Sequence, residues 1–289
     1  MSKPLLIIDS NQICYIAFYK TGNLSHRGKS TGIIYGFLTE LLKIAKVFEK
    51  ENPIIVFAWD SRTNYRKDIY EPYKQGRKES RRKSGIKKKH FRQFTKLRRD
   101  ILPEIGFKNN FIAKGFESDD IIGKLCQKYQ LRKKVIVSSD EDLYQLLDIE
   151  TSMYKMQAKK FYTAEDLFKQ YGLEKASDWI KIKALAGCST DNVKGITGVG
   201  YKTASAYLTG NLKTTTKAYK KLESKKGKRI YKRNLPLVTV PYPMKELKDF
   251  TVKRNKLDFD SFYSICESLG FRSITKDFRR WIKTFNNFR

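Results

Sequence analysis

Short apolar runs punctuate the first half of the chain. Leu5–Ile8, Ile54–Trp59 and Val135–Val137 are unbroken, and weaker runs lie near Phe111–Ala113 and Met153–Met156. Unbroken rather than alternating apolar character suits strands covered on both faces. Between the first two, Ile33 to Phe48 places Ile34, Phe37, Leu38, Leu41, Leu42 and Ala45 at helical spacing. Strands alternating with helices predict an α/β fold with a mostly parallel central sheet flanked by helices. Pro53 directly precedes the second run, where a missing N–H does little harm. Beyond Tyr171 the pattern turns helical, through "LAGCSTDNVKGITGVGYKTASAYL". The closing "FDSFYSICESLGFRSITKDFRRWIKTF" has helix-like spacing and is expected to pack back on the core.

The stretch from Ser61 to Arg99 breaks this rhythm. It holds sixteen Lys or Arg against Asp68, Glu71 and Glu79, and lies between two strands where a few residues would suffice. A solvated basic loop is the plain reading. Tyr65, Tyr70, Tyr73 and Phe91 argue for more, because rings beside cations suit stacking on bases and gripping phosphates. Lys213–Arg233 is a second basic stretch, with ten Lys or Arg and one acid, Glu223.

Charge sharpens the picture. Sixty Lys plus Arg against thirty Asp plus Glu gives a net charge of +30, an excess that points to a polyanion, foremost nucleic acid. A membrane is not expected. The basic runs are not attached to a strongly apolar helix face, and no apolar run approaches the ~18 residues of a span. With no signal-peptide pattern at the N-terminus, the expectation is a cytoplasmic protein. Cys14, Cys126, Cys188 and Cys266 are scattered, with no zinc or disulfide spacing, and His26 and His90 stand in no catalytic setting.

Against that background the acids stand out. Asp9 follows "LLII", Asp60 follows "IIVFAW" and Asp140 follows "VIVSS", each at the C-terminal end of a predicted parallel strand. The crevice outside such ends is where open α/β sheets bind ligands. "GFESDDIIG" adds Glu117, Asp119 and Asp120, "SSDEDLYQLL" adds Asp142, and "STDNVKG" adds Asp191. Each also has a local explanation: Ser118 or Ser139 capping a helix with acids in its first turn, or Asp191 ending a turn. If the acids converge, their repulsion calls for cations, and oxygen-only ligands suit Mg²⁺, with Mn²⁺ as substitute. Two such ions roughly 4 Å apart serve in-line phosphodiester cleavage.

These motifs, in this order, resemble the 5′-nuclease or flap endonuclease family, notably phage 5′→3′ exonucleases and the 5′-nuclease domain of bacterial DNA polymerases. The likeness runs from Leu5 to about Leu208 on "LLIIDSN", "FAWDSRTNYRKDIYEPYKQGR", "GFESDDIIG", "SSDEDLYQLL" and "GCSTDNVKGITGVGYKTAS", and is weaker at "YKRNLPLVTV". It implies a first metal site from Asp9, Asp60, Glu117 and Asp119, with Asp120 close by, and a second from Asp140, Asp142 and Asp191. It implies that residues 61–99 form a basic helical arch over a 5′ single strand. There Arg66, Tyr73, Lys74, Arg77 and Arg81 would contact DNA, with Lys74 and Arg77 steadying the scissile phosphate. "GITGVGYKTAS" resembles a helix–hairpin–helix, extended in the family to a helix–three-turn–helix. Gly195, Gly198, Gly200 and Lys202 would grip the duplex there, with K⁺ as a further ligand.

Two departures are visible: Cys188 stands where relatives commonly carry aspartate, and Ile16 where many carry a basic residue. The division expected is a nuclease core over residues 1–175, including the arch, and a helical DNA-binding region over 176–289 with the helix–hairpin–helix near 187–208. The implied protein is a monomeric nuclease that cuts 5′ flaps and ends of DNA, and RNA in RNA–DNA hybrids, during replication. If phage-encoded, it works in the host-cell cytoplasm. A PIN-like ribonuclease shares the acidic crevice but not the arch or "GVGYKT". A branched-DNA-binding protein weakened in catalysis is kept open by Cys188.

Overall fold

The computed structural model describes residues 2–288, with the side chains of Lys78, Ser80 and Arg81 outside the description. Six strands, β1 (Leu5–Asp9), β2 (Ile54–Trp59), β3 (Asn110–Ile112), β4 (Lys134–Val137), β5 (Thr151–Lys155) and β6 (Lys160–Tyr162), form one sheet in the order β3-β2-β1-β4-β5-β6. β1 lies between β2 and β4, parallel to both, with Leu5 opposite Ile54 and Lys134. β3 and β5 continue the parallel pairing, and only β6 is antiparallel. β6 is absent from the sequence reading because "KFY" is too short and too exposed to show a pattern.

The sheet's two faces follow from the period-two alternation within β1. Leu6 and Ile8 face a layer built on Phe37 and Leu41 of the Gly32–Val47 helix, joined by Phe262, Trp281 and Phe285 from the closing segment. Leu5 and Ile7 face Ile121 and Leu125 of the Ser118–Lys128 helix, with Trp179 and Ile182 of the Trp179–Ala186 helix beyond. Leu5 to Ile8 are all fully buried, and burying such a side chain is worth roughly 1.5–3 kcal/mol. Strands β2 and β3 are added on one side of β1, and β4 to β6 on the other. The crevice beyond the ends of β1 and β4 is therefore the switch point of the sheet.

The basic insert is largely helical, with Arg77–Lys83 and Lys88–Lys96 separated by a turn in which Gly85 has φ +74°. Its second helix is pinned by Gln93. The Gln93 carbonyl oxygen accepts from the N–H groups of Ile33 and Ile34 at 3.0 and 3.2 Å. Those are donors that the first turn of the Gly32–Val47 helix leaves unmatched. Its amide nitrogen donates to Ser30 Oγ.

After the Trp179–Ala186 helix the chain makes a two-residue antiparallel pair, Gly187–Cys188 with Val193–Lys194, then a turn into the Tyr201–Leu208 helix with Gly200 as its N-cap. Gly198 has φ +83° and, like Gly200 and Lys202, is exposed. Gly195 departs from the role expected of it. A Cβ there would fall 2.1 Å from the backbone C and O of Ala186, so close chain packing requires the glycine. Among the described residues no helix is long and apolar enough to cross a membrane.

Candidate active site

Three strand ends bring the acids together. Asp9 closes β1 and accepts the Gln12 N–H at 3.3 Å, so it also caps the Ser10–Thr21 helix. Asp60 directly follows β2, and Asp140 follows β4 by two serines. Ser118, expected as a helix cap, is instead the first helical residue, with Glu117 in the cap position. The Ser118 hydroxyl donates to Asp60 at 3.0 Å and to Asp9 at 3.3 Å, while its N–H donates to Asp60 at 2.9 Å. Asp9, Asp60, Glu117, Asp119 and Asp140 line one cleft of about 340 Å³, facing Lys74, Arg77 and Ser84 from the basic insert.

The electrostatics of the cleft are uneven. Burial and the neighbouring Asp60 push the Asp9 carboxyl up to about 7, and burial with Asp140 and Asp9 pushes Asp119 well above the usual carboxylate range. Asp60 is raised by burial and by Glu117. Glu117 goes the other way: burial would raise it, but Lys74 and Arg66 outweigh burial and hold it at about 2. Lys74 Nζ donates to Glu117 and lies 3.4 Å from Asp191; the Lys74 backbone adopts φ +54°, and its N–H donates to the Asp191 carbonyl. Tyr73 OH donates to Glu117 at 2.8 Å and to Asp191 at 2.9 Å. Arg77 reaches Asp191 at 2.9 Å.

Asp142, Cys188 and Asp191 form a neighbouring group whose ligand atoms all lie within 4.8 Å of one another. Burial and Asp140 raise the Asp142 carboxyl to about 6, although Lys183 pairs with it. Lys183 is buried and lies 3.7 Å from the Cys188 sulfur and 3.2 Å from Tyr201 OH. Sequence reading missed Lys183. The signal was a lysine inside the apolar run "WIKIKALA", one turn after Trp179.

Three expected site residues have other roles. Asp120 is fully buried, and both its oxygens are taken. Oδ1 accepts from Arg66 at 2.7 Å and from the Tyr242 N–H at 2.8 Å, while Oδ2 accepts from Arg66 and the Glu117 N–H at 2.8 and 2.9 Å. That leaves no lone pair for a metal, so Asp120 is a structural anion. Arg66 is its partner rather than a DNA contact: it is 2% exposed and also donates to the carbonyls of Leu237 and Thr239. Tyr73, likewise 2% exposed, presents its hydroxyl to acids rather than its ring to a base. The side chain of Arg81 lies outside the described residues.

The donor set of the cleft is oxygen throughout and gathers more carboxylates than its two cations balance, a fit to a hard divalent ion. Comparison with known proteins points to one family. The family model for the 5′-3′ exonuclease N-terminal resolvase-like domain matches residues 4–172. A 5′-3′ exonuclease of Buchnera aphidicola subsp. Acyrthosiphon pisum is 30% identical over 263 residues, covering 89% of this chain and 88% of that protein. A thermostable DNA polymerase I of Thermus filiformis is 25% identical over 291 residues, which span 96% of this chain and 33% of the polymerase. Among solved structures, the T5 5′-exonuclease with bound zinc shares the fold, with a TM-score of 0.67 at 19% identity over 82% of this chain and 89% of that one.

Proposed function

The chain belongs to the 5′-3′ exonuclease family, and from that premise we propose that it trims 5′ ends and flaps of DNA, and RNA paired to DNA, by Mg²⁺-dependent phosphodiester hydrolysis during replication. The observation that carries this reading is the cleft in which carboxylates from three strand ends face Lys74 and Arg77 of a basic insert. Asp9, Asp60, Glu117, Asp119 and Asp140 would hold divalent ions, with Asp142 and Asp191 beside them. Such ions supply charge neutralisation and activation of the attacking water. Mn²⁺ is the expected substitute.

The protein's own groups do the rest. Ser118 orients Asp9 and Asp60 through its hydroxyl, which keeps both carboxylates aimed into the cleft. Lys74 and Arg77 would leave Glu117 and Asp191 to meet the phosphate, offsetting the charge that develops on its oxygens. Gly198, Gly200 and Lys202 surround the exposed N-terminus of the Tyr201–Leu208 helix, which suits a backbone phosphate of the duplex. The grip would come from the backbone N–H groups and Lys202, with K⁺ as a further ligand at a turn whose Thr197 carbonyl also accepts from the exposed Lys221 Nζ at 3.0 Å. In this reading residues 1–175, with the arch at 61–99, carry the chemistry, and 176–289 carry the duplex. The enzyme works as a monomer in the cytoplasm.

The test is cleavage of a labelled 5′-flap DNA, a flap with RNA at its 5′ end, and linear RNA, each with Mg²⁺ or EDTA. Metal-dependent release of the flap supports the proposal. Binding without cleavage in every metal would leave a branched-DNA-binding protein, and cleavage of linear RNA alone would make it a ribonuclease.

A further inference from the structure

The basic insert leaves the sheet after Asp60 and returns through the Lys88–Lys96 helix, which runs on into a π-helical turn, Leu97–Ile101. Both legs are fixed at their roots. On the outgoing leg the Ser61 N–H donates to the Phe116 carbonyl, and the Ser61 hydroxyl oxygen accepts from the Gly115 N–H, each at 3.1 Å. On the returning leg Leu97 and Ile101 are buried in the layer that also holds Trp59, the last residue of β2. Turns of the π type are rare and recur at functional sites. With Leu97 and Ile101 turned inward, Arg98 is left half-buried and Arg99 exposed. Both come near Arg62, which directly follows Ser61 and is exposed: burial, with Arg99 and Arg62 adding to it, holds Arg98 below the ordinary arginine value. Other cations of the insert face acids, Arg66 pairing with Asp120, Lys74 with Glu117 and Arg77 with Asp191. Among the described residues no carboxylate pairs with Arg62, Arg98 or Arg99. Nor do these three line the cleft, although Asp60, two residues before Arg62, does. Like charges gathered without an acid are relieved by an incoming anion, and the arginine fork matches a phosphate in two-point contact.

Resting on the nuclease reading, we propose that Arg62, Arg98 and Arg99 form a phosphate subsite outside the cleft, at the root of the insert, which holds the backbone of the 5′ single strand once it has passed the catalytic groups. The ligand is a single-stranded phosphodiester backbone, taken without regard to sequence because contacts to phosphate carry no base information. The three guanidinium groups meet phosphates beyond the scissile one, on the strand to be released, and take no part in the chemistry. Their contribution therefore depends on the length of that strand: only a flap that extends past the cleft wall at Asp60 gains from them.

The test is single-turnover cleavage in Mg²⁺ at rising concentrations of the full chain, which separates half-saturation from maximal rate. Two junctions are compared, alike except that one carries a 5′ single strand of about ten nucleotides and the other none. The quantity read is the ratio of their half-saturating concentrations. In the wild type that ratio is expected to favour the long flap. With Arg62, Arg98 and Arg99 all changed to Met, the preference is expected to fall about tenfold or more, and the salt dependence of long-flap binding to flatten by a slope of about two. Arg62→Met alone alters only an exposed loop position and is expected to give a smaller loss of the same kind, so the result does not hang on the folding of the triple variant. A ratio that neither variant moves overturns the proposal, whether because both junctions are untouched, as on a solvated face, or because both weaken equally, as for a duplex contact. A wild type that cleaves with no preference for the long flap overturns it too, and leaves the nuclease reading standing. No metal-dependent cleavage of either junction by the wild type removes that reading as well.

Discussion

Asp120→Asn separates a structural anion from a metal ligand. The substitution keeps size and shape but removes the nearer of the two acids at Arg66, leaving a guanidinium at 2% exposure opposite a neutral amide, with Glu117 at 3.5 Å as its remaining counter-charge. It also places an NH₂ group where an oxygen now accepts from Arg66 and from either the Glu117 or the Tyr242 N–H, so at least one buried donor loses its acceptor. Breaking a buried ion pair from one side costs about 3–5 kcal/mol. For a domain of this size that lowers the melting temperature by roughly 10 °C. Denaturant unfolding in EDTA measures the cost without contribution from bound ions, and Mn²⁺ titration of the still-folded variant at low temperature measures affinity. The expectation is a large loss of stability with a much smaller loss of metal affinity, because no cleft-facing oxygen is removed. A variant as stable as wild type that has lost its metal would refute the assignment.

Three further outcomes follow from the site. Lys74→Ala is expected to slow single-turnover cleavage about 100-fold or more while weakening DNA binding only a few-fold; equal losses in rate and binding would make Lys74 an ordinary backbone contact. In EDTA, Asp9 destabilises the fold as pH rises. Its carboxyl titrates near 4 unfolded but at about 7 folded, so its penalty is absent below about pH 4 and complete above pH 7. Asp9→Asn should therefore gain stability over wild type progressively across that window, by up to about 4 kcal/mol, and a flat difference in urea melts would contradict the shift. Gly195→Ala should cost about 1–3 kcal/mol by thermal melting, since its Cβ meets the backbone of Ala186, and a neutral effect would show that the turn has room.

The parts of this molecule legible in its sequence are those with a local signature. Unbroken apolar runs located β1, β2 and β4, and an aspartate at the end of each marked where the cleft would be. What stayed hidden depends on partners distant in the chain. Arg66 and Asp120 look like surface residues because charge ordinarily stays in water, and only their separation of 54 positions, closed by the fold, lets each hide the other. Tyr73 reads as a base-stacking ring beside cations until its hydroxyl is found between Glu117 and Asp191. Ser118 reads as a cap because serine commonly is one; its hydroxyl serves the carboxylates because Glu117 holds the cap position. The closing segment showed its apolar spacing but not its destination, the sheet face it shares with the Gly32–Val47 helix.

Gln93 at one end and the Arg66–Asp120 pair at the other make the basic insert a span with two clamped feet. Lengthening a span already held at both ends is cheap, about 0.6 kcal/mol for each doubling of a flexible segment. Between the feet, Tyr73, Lys74 and Arg77 are held as well, by Glu117 and Asp191, so the stretch least tied down lies around Gly85. Insertions and deletions near Gly85 are therefore expected to cost this fold little, while the anchorages set the limits within which such variation is tolerated.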